Sequence, residues 1–304
     1  MLPSRPPFQP PPQPHCQIGV DGGGSKTDLI LVDPGNLVMA RAQAPGCNPS
    51  VAGPERAGLI LSDALYALRA KSPLAIGRTM LCMAGARGYW QEFADRLPDF
   101  GQVVAMDDAR PVLELATNGA PGVVLHSGTG SFVAARAPDG SIHYAGGLGW
   151  RFGDPGSGYD LGRRTLARGL LEMQGWAPES RIAAVLRAHT GLDDAGAITR
   201  FFYDHAEPNR QIAALTPLVL RLAEEGDATA HKLVVESTGE LLDLAGRVVA
   251  RLFPGLPPTA VPAGLSGPIL THRVVVSALS LRTSLLLTPI DQPPIEGVRR
   301  LLAR

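Results

Sequence analysis

The feature that decides the fold is a glycine-rich turn between two apolar runs, in the stretch Gln17-Ile18-Gly19-Val20-Asp21-Gly22-Gly23-Gly24-Ser25-Lys26-Thr27. The apolar runs predict one β-strand over 17–21 and a second over 27–33. In such a turn, successive backbone N–H groups point into one concavity and attract phosphate oxygens. A lone turn of this kind is more often a plain connection, so by itself it predicts only a hairpin.

A second unit of strand, glycine turn and strand follows over 122–136, with Gly128-Thr129-Gly130 as the turn. Two such turns together can grip one triphosphate, which makes ATP the expected ligand. Neither turn fits the G-x-x-x-x-G-K-[ST] loop or the G-x-G-x-x-G fingerprint, so a Walker-type or dinucleotide-binding enzyme is not expected. His126, beside the second turn, is interpreted as structural rather than catalytic.

The length of the chain predicts a protein of two lobes around a cleft, because 304 residues are too many for one ordinary core. Lys plus Arg equals Asp plus Glu at 28 each, so no overall charge favours nucleic acid or an anionic membrane. No apolar run reaches the roughly 20 residues that a membrane span needs. The expected partners are therefore small molecules.

The three cysteines and residues 1–15 indicate the cellular compartment in which the protein is expected to occur. Cys16, Cys47 and Cys82 form no C-x-x-C pair, which suits a reducing environment and predicts a cytoplasmic location. Residues 1–15 are rich in proline and lack the apolar core of a secretory signal. We expect them to form a disordered tail.

Apolar periodicity predicts two strand-rich halves with a helical region in the second. In the first half we expect the order β-β-β-α-β-α-β, with strands at 37–42, 79–83 and 102–106 and a helix over 55–69. In the second half we expect a helix at 111–117, a strand at 141–145, helices at 212–225 and 228–251, strands at 259–262 and 284–287, and a last helix from 295. The two similar halves hint at an internal duplication.

Acidic residues at strand ends are the candidates for chemistry. Asp21 ends the first strand, where its carboxylate could hold Mg²⁺ through water or simply cap the turn. Asp107 and Asp108 follow the strand at 102–106, and a carboxylate there can accept the proton of an attacking hydroxyl. Adjacent residues of an extended chain face opposite ways, so one of the two is the candidate, and either could instead cap the next helix.

Two loops are candidates for binding a second substrate. Asn48 can hydrogen-bond a sugar hydroxyl or serve as an ordinary turn asparagine. The segment 146–158 is dominated by glycine, which indicates close backbone approach to a ligand or a hinge. Trp150 within it could stack on a sugar or pack against the protein.

With these motifs, the chain resembles the N-acetylglucosamine kinase group of the BadF/BadG/BcrA/BcrD ATPase family over residues 17–302. Residues 18–27 resemble the family's first phosphate motif and 124–131 its second. The resemblance implies phosphate contacts from Gly23, Gly24, Ser25, Lys26, Thr27, Gly128, Thr129 and Gly130. The run 263–267 resembles the adenosine motif, which implies adenosine contacts from Gly264 and Gly267.

The same resemblance implies the catalytic and sugar-binding residues. Asp108-Ala109 matches the Asp-Ala that carries the general base, which selects Asp108 over Asp107. Residues 153–159 resemble the G-D-E-G-S-G-Y segment of the sugar site, with Pro155 in place of the usual acid. The implied sugar contacts are Asn48, Gly85, Asp108, Gly147 and Asp154.

The fold implied by the resemblance is α/β, with two ribonuclease-H-like (actin-like ATPase) domains, 16–110 and 111–304, flanking a nucleotide cleft. The implied reaction transfers the γ-phosphate of ATP to the 6-hydroxyl of glucosamine or N-acetylglucosamine, with Mg²⁺ held near Asp21. N-acetylmuramic acid is a third acceptor that the sequence leaves open. Homodimers are common in the group.

Two other functions stay open at this point. One is an activator-type ATPase of a 2-hydroxyacyl-CoA dehydratase or benzoyl-CoA reductase system, which needs cysteine thiolates for a shared iron–sulfur cluster. The positions of the three cysteines do not resemble such a site. The other is a non-catalytic nucleotide or sugar sensor, which would keep the glycine turns but need no base at Asp108.

Overall fold

The computed structural model describes residues 14–304, and the chain divides there into two compact units. Unit 1 runs to Asp108 and also contains Val298–Arg304, whereas unit 2 is Ala109–Gly297. The tail predicted at 1–15 lies outside the described residues except for its last two. In the described range, no helix is long and apolar enough to cross a membrane.

Unit 1 contains one five-stranded sheet with helices between the strands. The strands are β1 (Cys16–Gly22), β2 (Lys26–Val32), β3 (Val38–Pro45), β4 (Ile76–Met83) and β5 (Gln102–Asp107). The helices are α1 (Pro49–Ala52), α2 (Pro54–Arg69) and α3 (Arg87–Ala94), with a 3-10 turn at Pro98–Phe100.

The strand order of this sheet is β3-β2-β1-β4-β5. β2 is antiparallel to both β1 and β3, while β4 is parallel to β1 and β5 is parallel to β4. The carboxyl ends of β1, β3, β4 and β5 therefore meet at one edge, beside the start of β2. We refer to this as the carboxyl edge of unit 1.

The core of unit 1 forms where the sheet packs against helices. Ile18 and Val20 on the central strand are fully buried, as the apolar run around them predicts. α2 buries Leu61, Leu65 and Leu68, whose spacing of four and three residues places them on one face. Near the end of the chain, Val298 packs against β1, and a Cβ on Gly19 would lie only 2.7 Å from its Cγ1.

Unit 2 contains a second five-stranded sheet and most of the helices. Its strands are β6 (Gly122–Ser127), β7 (Ser131–Arg136), β8 (Ile142–Gly146), β9 (Ala263–Ser266) and β10 (Leu287–Pro289). Its helices are α4 (Ala109–Thr117), α5 (Gly158–Met173), α6 (Arg181–Thr190), α7 (Ala195–Tyr203), α8 (Pro208–Ala213), α9 (Thr216–Glu224), α10 (Ala228–Leu252) and α11 (Arg273–Ser280). The last helix, α12 (Pro294–Leu302), begins in unit 2 and ends in unit 1.

The sheet of unit 2 has the same topology as the sheet of unit 1. Its order is β10-β9-β6-β7-β8, with β7 antiparallel to β6 and β8, and with β9 parallel to β6 and β10. β6 thus occupies the position of β1, and the second glycine turn occupies the position of the first. This equivalence supports the internal duplication that the sequence suggested.

Three predicted elements are wrong in detail. The strand predicted at 259–262 is a 3-10 turn at Pro258–Ala260, because prolines supply no N–H for a ladder, and the strand begins only at Ala263. The strand predicted at 284–287 begins at Leu287, since Leu285 N–H turns back to Thr283 Oγ1. The helix predicted over 212–225 is two helices, interrupted just before Pro217.

Candidate functional site

The first glycine turn connects β1 to β2 at the carboxyl edge of unit 1. Gly23 N–H donates to the carbonyl of Lys26 at 2.9 Å and closes the turn. Residues 24–26 are exposed. Thr27 differs from the other predicted phosphate contacts, because its side chain is fully buried and its hydroxyl donates to the Pro45 carbonyl at 2.9 Å. A phosphate would therefore meet the backbone of the turn rather than the Thr27 hydroxyl.

The loops that follow β3 and β4 pack directly on this turn. Cys47 N–H donates to the Gly23 carbonyl at 3.2 Å, and Ala84 N–H donates to the Gly22 carbonyl at 2.8 Å. A Cβ on Gly46 would overlap a carbonyl group of the turn, so only glycine allows this approach. The shape of the turn is thus fixed by its neighbours before any ligand binds.

Asp21 and Asp108 follow or end parallel strands at the same carboxyl edge. Asp21 pairs with Cys82 on β4, and the neighbouring Met83 pairs with Asp107 on β5. Burial and the negative charge of Asp108 raise the pKa of Asp21 to about 7, with a further contribution from Asp28. The two carboxylates are therefore close enough for the charge of Asp108 to oppose ionisation of Asp21.

A divalent cation fits this electrostatic arrangement. In residues 14–304, no three His, Cys, Asp or Glu side chains converge on an all-protein metal site. Mg²⁺ bound with a nucleotide needs only one or two carboxylates, because phosphates and waters complete its octahedron. A cation near Asp21 would relieve the repulsion that raises its pKa, so Asp21 is the residue here that could hold Mg²⁺.

The two predicted sugar contacts in the loops of unit 1 lie against each other. Gly85 has a φ of +99°, and a Cβ there would lie 2.7 Å from Asn48 Oδ1. That oxygen accepts a hydrogen bond from Ser50 N–H at 3.0 Å and caps α1. The side-chain amide nitrogen of Asn48 has no hydrogen-bond partner in the described part of the chain. Capping and ligand binding would therefore use different atoms of the same residue.

The second glycine turn connects β6 to β7 and is closed in the same way as the first. Gly128 N–H donates to the Gly130 carbonyl at 2.9 Å, and Thr129 at the tip is exposed. Gly158 N–H, at the start of α5, donates to the Gly128 carbonyl at 2.9 Å. This bond joins the turn to the glycine-rich segment 146–158.

Two serines that flank the second turn complete this attachment. Ser127 Oγ donates to the Gly156 carbonyl at 2.6 Å, and Ser131 Oγ donates to the Pro155 carbonyl at 2.7 Å. Both hydroxyls are buried. The turn is therefore held in place by the backbone of residues 155–158, including the position where proline replaces the family's acid.

Asp154 is placed where its carboxylate supports the loop. It is only 5% exposed and has a φ of +63°, and its Oδ1 accepts from Gly149 N–H at 3.1 Å. A Cβ on Gly130 would lie 2.8 Å from its Oδ2. Burial raises the pKa of Asp154, while backbone N–H groups, that of Gly149 foremost, oppose the rise. The carboxylate thus joins the glycine-rich segment to the second turn.

Gly147 lies directly after β8 at the carboxyl edge of unit 2. Its N–H donates to the Ser131 carbonyl at 3.0 Å, and its φ is +65°. A Cβ there would overlap the ring of Tyr144, which is 45% exposed. Glycine is therefore required at this position by both conformation and space.

The two predicted adenosine contacts occupy different surroundings. Gly264 lies within β9, where a Cβ would come 2.6 Å from Ala116 Cβ and 2.9 Å from Ile290 Cδ1. Close packing of α4 on the sheet accounts for this glycine. Gly267 has a φ of +89°, and a Cβ there would overlap the Ser127 carbonyl. Gly267, unlike Gly264, therefore lies beside the strand end that leads into the second turn.

Sequence reasoning missed the residues that support the turns. Ser127 and Ser131 belong to the quoted motif, but only the structure shows that their hydroxyls reach residues 29 and 24 positions away, respectively. Gly46 lies next to the predicted sugar loop, and its contact with the first turn depends on the pairing of β3 with β2. The sequence feature that could have indicated them is their small size, because Gly46, Ser127 and Ser131 lie where two loops pack against each other.

Comparison with known proteins gives a consistent result. N-acetyl-D-glucosamine kinase of Dictyostelium discoideum is 26% identical over 77% of this chain and 79% of its own. N-acetylmuramic acid/N-acetylglucosamine kinase of Clostridium acetobutylicum is 23% identical over 74% of this chain and 76% of its own. The crystal structure of a candidate N-acetylglucosamine kinase from Chromobacterium violaceum has a TM-score of 0.78 and 26% identity, covering 95% of this chain and 99% of that one.

These matches confirm the predicted α/β fold class with two ribonuclease-H-like domains. The sequence model of the BadF/BadG/BcrA/BcrD ATPase family matches residues 18–298, which is nearly the whole described chain. The chain therefore belongs to the BadF/BadG/BcrA/BcrD ATPase family.

Proposed function

We propose that this protein is an ATP-dependent amino-sugar kinase, which transfers the γ-phosphate of ATP to the 6-hydroxyl of glucosamine or N-acetylglucosamine. The observation that carries the proposal is the repeated glycine turn, at the same edge of two sheets of identical topology, with Asp108 close to the first. Relatives named as N-acetylglucosamine kinases support an amino sugar as the acceptor.

In the proposed reaction, Asp108 is the general base. Its carboxylate accepts the proton of the 6-hydroxyl as the sugar oxygen bonds to the γ-phosphorus and the bond to the β-phosphate oxygen breaks. The products are the sugar 6-phosphate, ADP and a proton. Mg²⁺, held near Asp21 through water, would supply charge neutralisation on the phosphates.

The remaining site residues bind and orient the substrates in this proposal. The backbone N–H groups of the two turns bind phosphate oxygens, and Gly267 borders the adenosine. The free amide of Asn48 donates to a sugar hydroxyl beside Gly85 in unit 1, and Gly147 in unit 2 is a further proposed sugar contact. Asp154 acts on the sugar site by holding the glycine-rich segment in shape.

The activator-type ATPase is less well supported. An iron–sulfur cluster shared by two subunits needs thiolates at the surface where the subunits meet. Cys16, Cys47 and Cys82 form no disulfide, and all three side chains are fully buried. Thiols that form no disulfide also agree with the proposed cytoplasmic location.

Analysis of the product tests the proposal. The protein is incubated with Mg·ATP and either N-acetylglucosamine or glucosamine, and the phosphorylated sugar is examined by ³¹P–¹H correlation NMR. We expect phosphorus coupled to the two protons on C6. Phosphorus coupled to the C1 proton would contradict the proposed acceptor hydroxyl, and release of inorganic phosphate alone would contradict the kinase function.

A further inference from the structure

His126 is a polar side chain next to the second glycine turn that the proposed reaction does not use. It is the fifth residue of β6, two positions before Gly128, and its ring is partly buried. The ring stacks on Phe132 with centroids 4.9 Å apart and planes 23° apart. Phe132 in turn stacks on Tyr144, also at 4.9 Å. The plane of the imidazole is therefore fixed by a column of three rings.

The two ring nitrogens of His126 have different surroundings. Nδ1 lies 3.1 Å from Ser266 Oγ on β9, the strand paired with β6. Nε2 is on the side of the second turn, because a Cβ on Gly128 would lie 3.6 Å from it. Nε2 has no hydrogen-bond partner within residues 14–304. One nitrogen is thus held by the protein while the other faces the backbone of the turn.

The imidazole is neutral at physiological pH. Burial lowers the pKa of His126 to about 4. A neutral imidazole carries a proton on only one nitrogen, and the hydrogen bond at the other nitrogen determines which one. If the Ser266 hydroxyl donates to Nδ1, then Nε2 carries the proton and is a donor directed at the turn.

We propose that His126 Nε2–H donates a hydrogen bond to a phosphate oxygen of the nucleotide bound at the second glycine turn. Ser266 is the positioning residue that holds the imidazole in the Nε2–H form. This inference rests on the proposed function only in requiring that a nucleotide bind at this turn. It adds an imidazole donor to a turn that otherwise offers backbone N–H groups and the hydroxyl of Thr129.

Packing alone does not explain a histidine at this position. An aliphatic or phenyl side chain would fill the space beside Phe132 without bringing two polar ring nitrogens into it. The bond to Ser266 compensates for only one of them. A phosphate oxygen would compensate for the other, and a neutral donor can be fully desolvated there at lower cost than a charged one.

Calorimetric titration with Mg·ADP, Mg·AMPPNP and adenosine tests the proposal. His126→Phe keeps a ring for the stack and removes both nitrogens. We expect this variant to bind both phosphorylated nucleotides about tenfold more weakly, the usual effect of losing one hydrogen bond to a charged group, with adenosine binding unchanged. Equal Kd values for Mg·ADP in wild type and His126→Phe would overturn the role of His126 and leave the proposed function unaffected. If the wild type binds no nucleotide, the proposed function fails as well.

A spectroscopic measurement keeps the proposal testable even if His126→Phe does not fold. The ¹⁵N shifts of the imidazole in the Mg·ADP complex distinguish the two neutral forms. We expect the Nε2–H form in the wild type and a mixture of both forms in Ser266→Ala, with about two- to threefold weaker Mg·ADP binding. An Nδ1–H form in the wild-type complex would overturn the proposal, since Nε2 could not then donate.

Discussion

Asp21 is the residue whose ionisation has the clearest consequence for stability. Its pKa is raised to about 7 by burial and by Asp108, whereas an unfolded chain would ionise it near 3.8. Between those pH values, the folded state binds more protons than the unfolded state. The contribution of Asp21 to the free energy of unfolding of the nucleotide-free protein therefore falls as pH rises from about 4 to 7, and then levels off.

The Asp21→Asn variant tests this electrostatic account. An amide of the same size has no charge to repel Asp108, so we expect the variant to be more stable than wild type by about 3–4 kcal/mol at pH 8, which is about 1.4 kcal/mol for each pKa unit of the shift. At pH 4, where the wild-type carboxyl is protonated, the two proteins should be nearly equal. Urea unfolding without Mg²⁺ and nucleotide measures the difference. A constant difference between pH 4 and 8 would contradict the assigned pKa.

At the same scale, a sequence motif identifies a candidate residue without giving the contacts that its side chain makes. Asn48 was interpreted either as a sugar contact or as a turn residue, and its oxygen does cap α1 while its amide remains available. The resemblance assigns Gly264 to adenosine, and in the structure its missing side chain also makes room for Ala116. Such distinctions depend on distances between residues far apart in sequence, which no local motif contains.

Within a single helix, α10, two glycines show how the neighbours of a glycine determine the effect of replacing it. Gly239 and Gly246 both lie inside this helix, where glycine costs about 1 kcal/mol relative to alanine. A Cβ on Gly246 would meet no atom within 4 Å, whereas a Cβ on Gly239 would come 2.9 Å from Arg282 Nη1. The two positions share the same backbone conformation and differ in their neighbours.

Alanine substitutions at these two positions form a matched pair. We expect Gly246→Ala to raise the free energy of unfolding by about 0.5–1 kcal/mol, because the unfolded chain loses conformational freedom and nothing is displaced. Gly239→Ala should raise the free energy of unfolding by less than Gly246→Ala does, since the Arg282 side chain has to move. Thermal unfolding of the two variants beside wild type measures both effects. A larger gain from Gly239→Ala would contradict the packing described here.

Secondary structure was predictable where glycine turns separate apolar runs and where apolar residues recur with helical spacing. Both hairpins, the helix at α2 and the long helix α10 follow their sequence patterns closely. The region around β9 was misplaced because Pro257, Pro258 and Pro262 interrupt the pattern just before the strand. Pairing with β6 decides where β9 begins, and that pairing joins residues about 140 positions apart.

The whole molecule consists of two units with the same sheet topology, and the chain returns to the first at its end. Val298 and Leu302 are buried in unit 1, although they follow almost 190 residues of unit 2. The sequence suggested the duplication but not this return. Neither the sequence around Gly19 nor the sequence around Val298 indicates that these two residues are in contact.

Truncation of the last helix tests its contribution to unit 1. Removing residues 298–304 exposes the core behind Val298 and Leu302, which should destabilise unit 1 by about 3–5 kcal/mol. Removing only residues 303–304, which are exposed, is the matched control and should destabilise unit 1 far less than the longer truncation. Hydrogen exchange should speed up at the amides of β1 and β2 and stay unchanged at β6 and β7. Equal acceleration in all four strands would contradict the division into units.

We propose that Asp108 accepts a proton in a sugar-dependent phosphotransfer, and a coupled ADP-release assay tests this role. Wild type, Asp108→Asn and the neighbouring control Asp107→Asn are compared with Mg·ATP and N-acetylglucosamine, glucosamine, N-acetylmuramic acid, glucose or no sugar. The account predicts amino-sugar-dependent turnover, a kcat lowered about 10²- to 10⁴-fold in Asp108→Asn, and a much smaller change in Asp107→Asn. ADP release that needs no sugar and is unchanged in Asp108→Asn would contradict it.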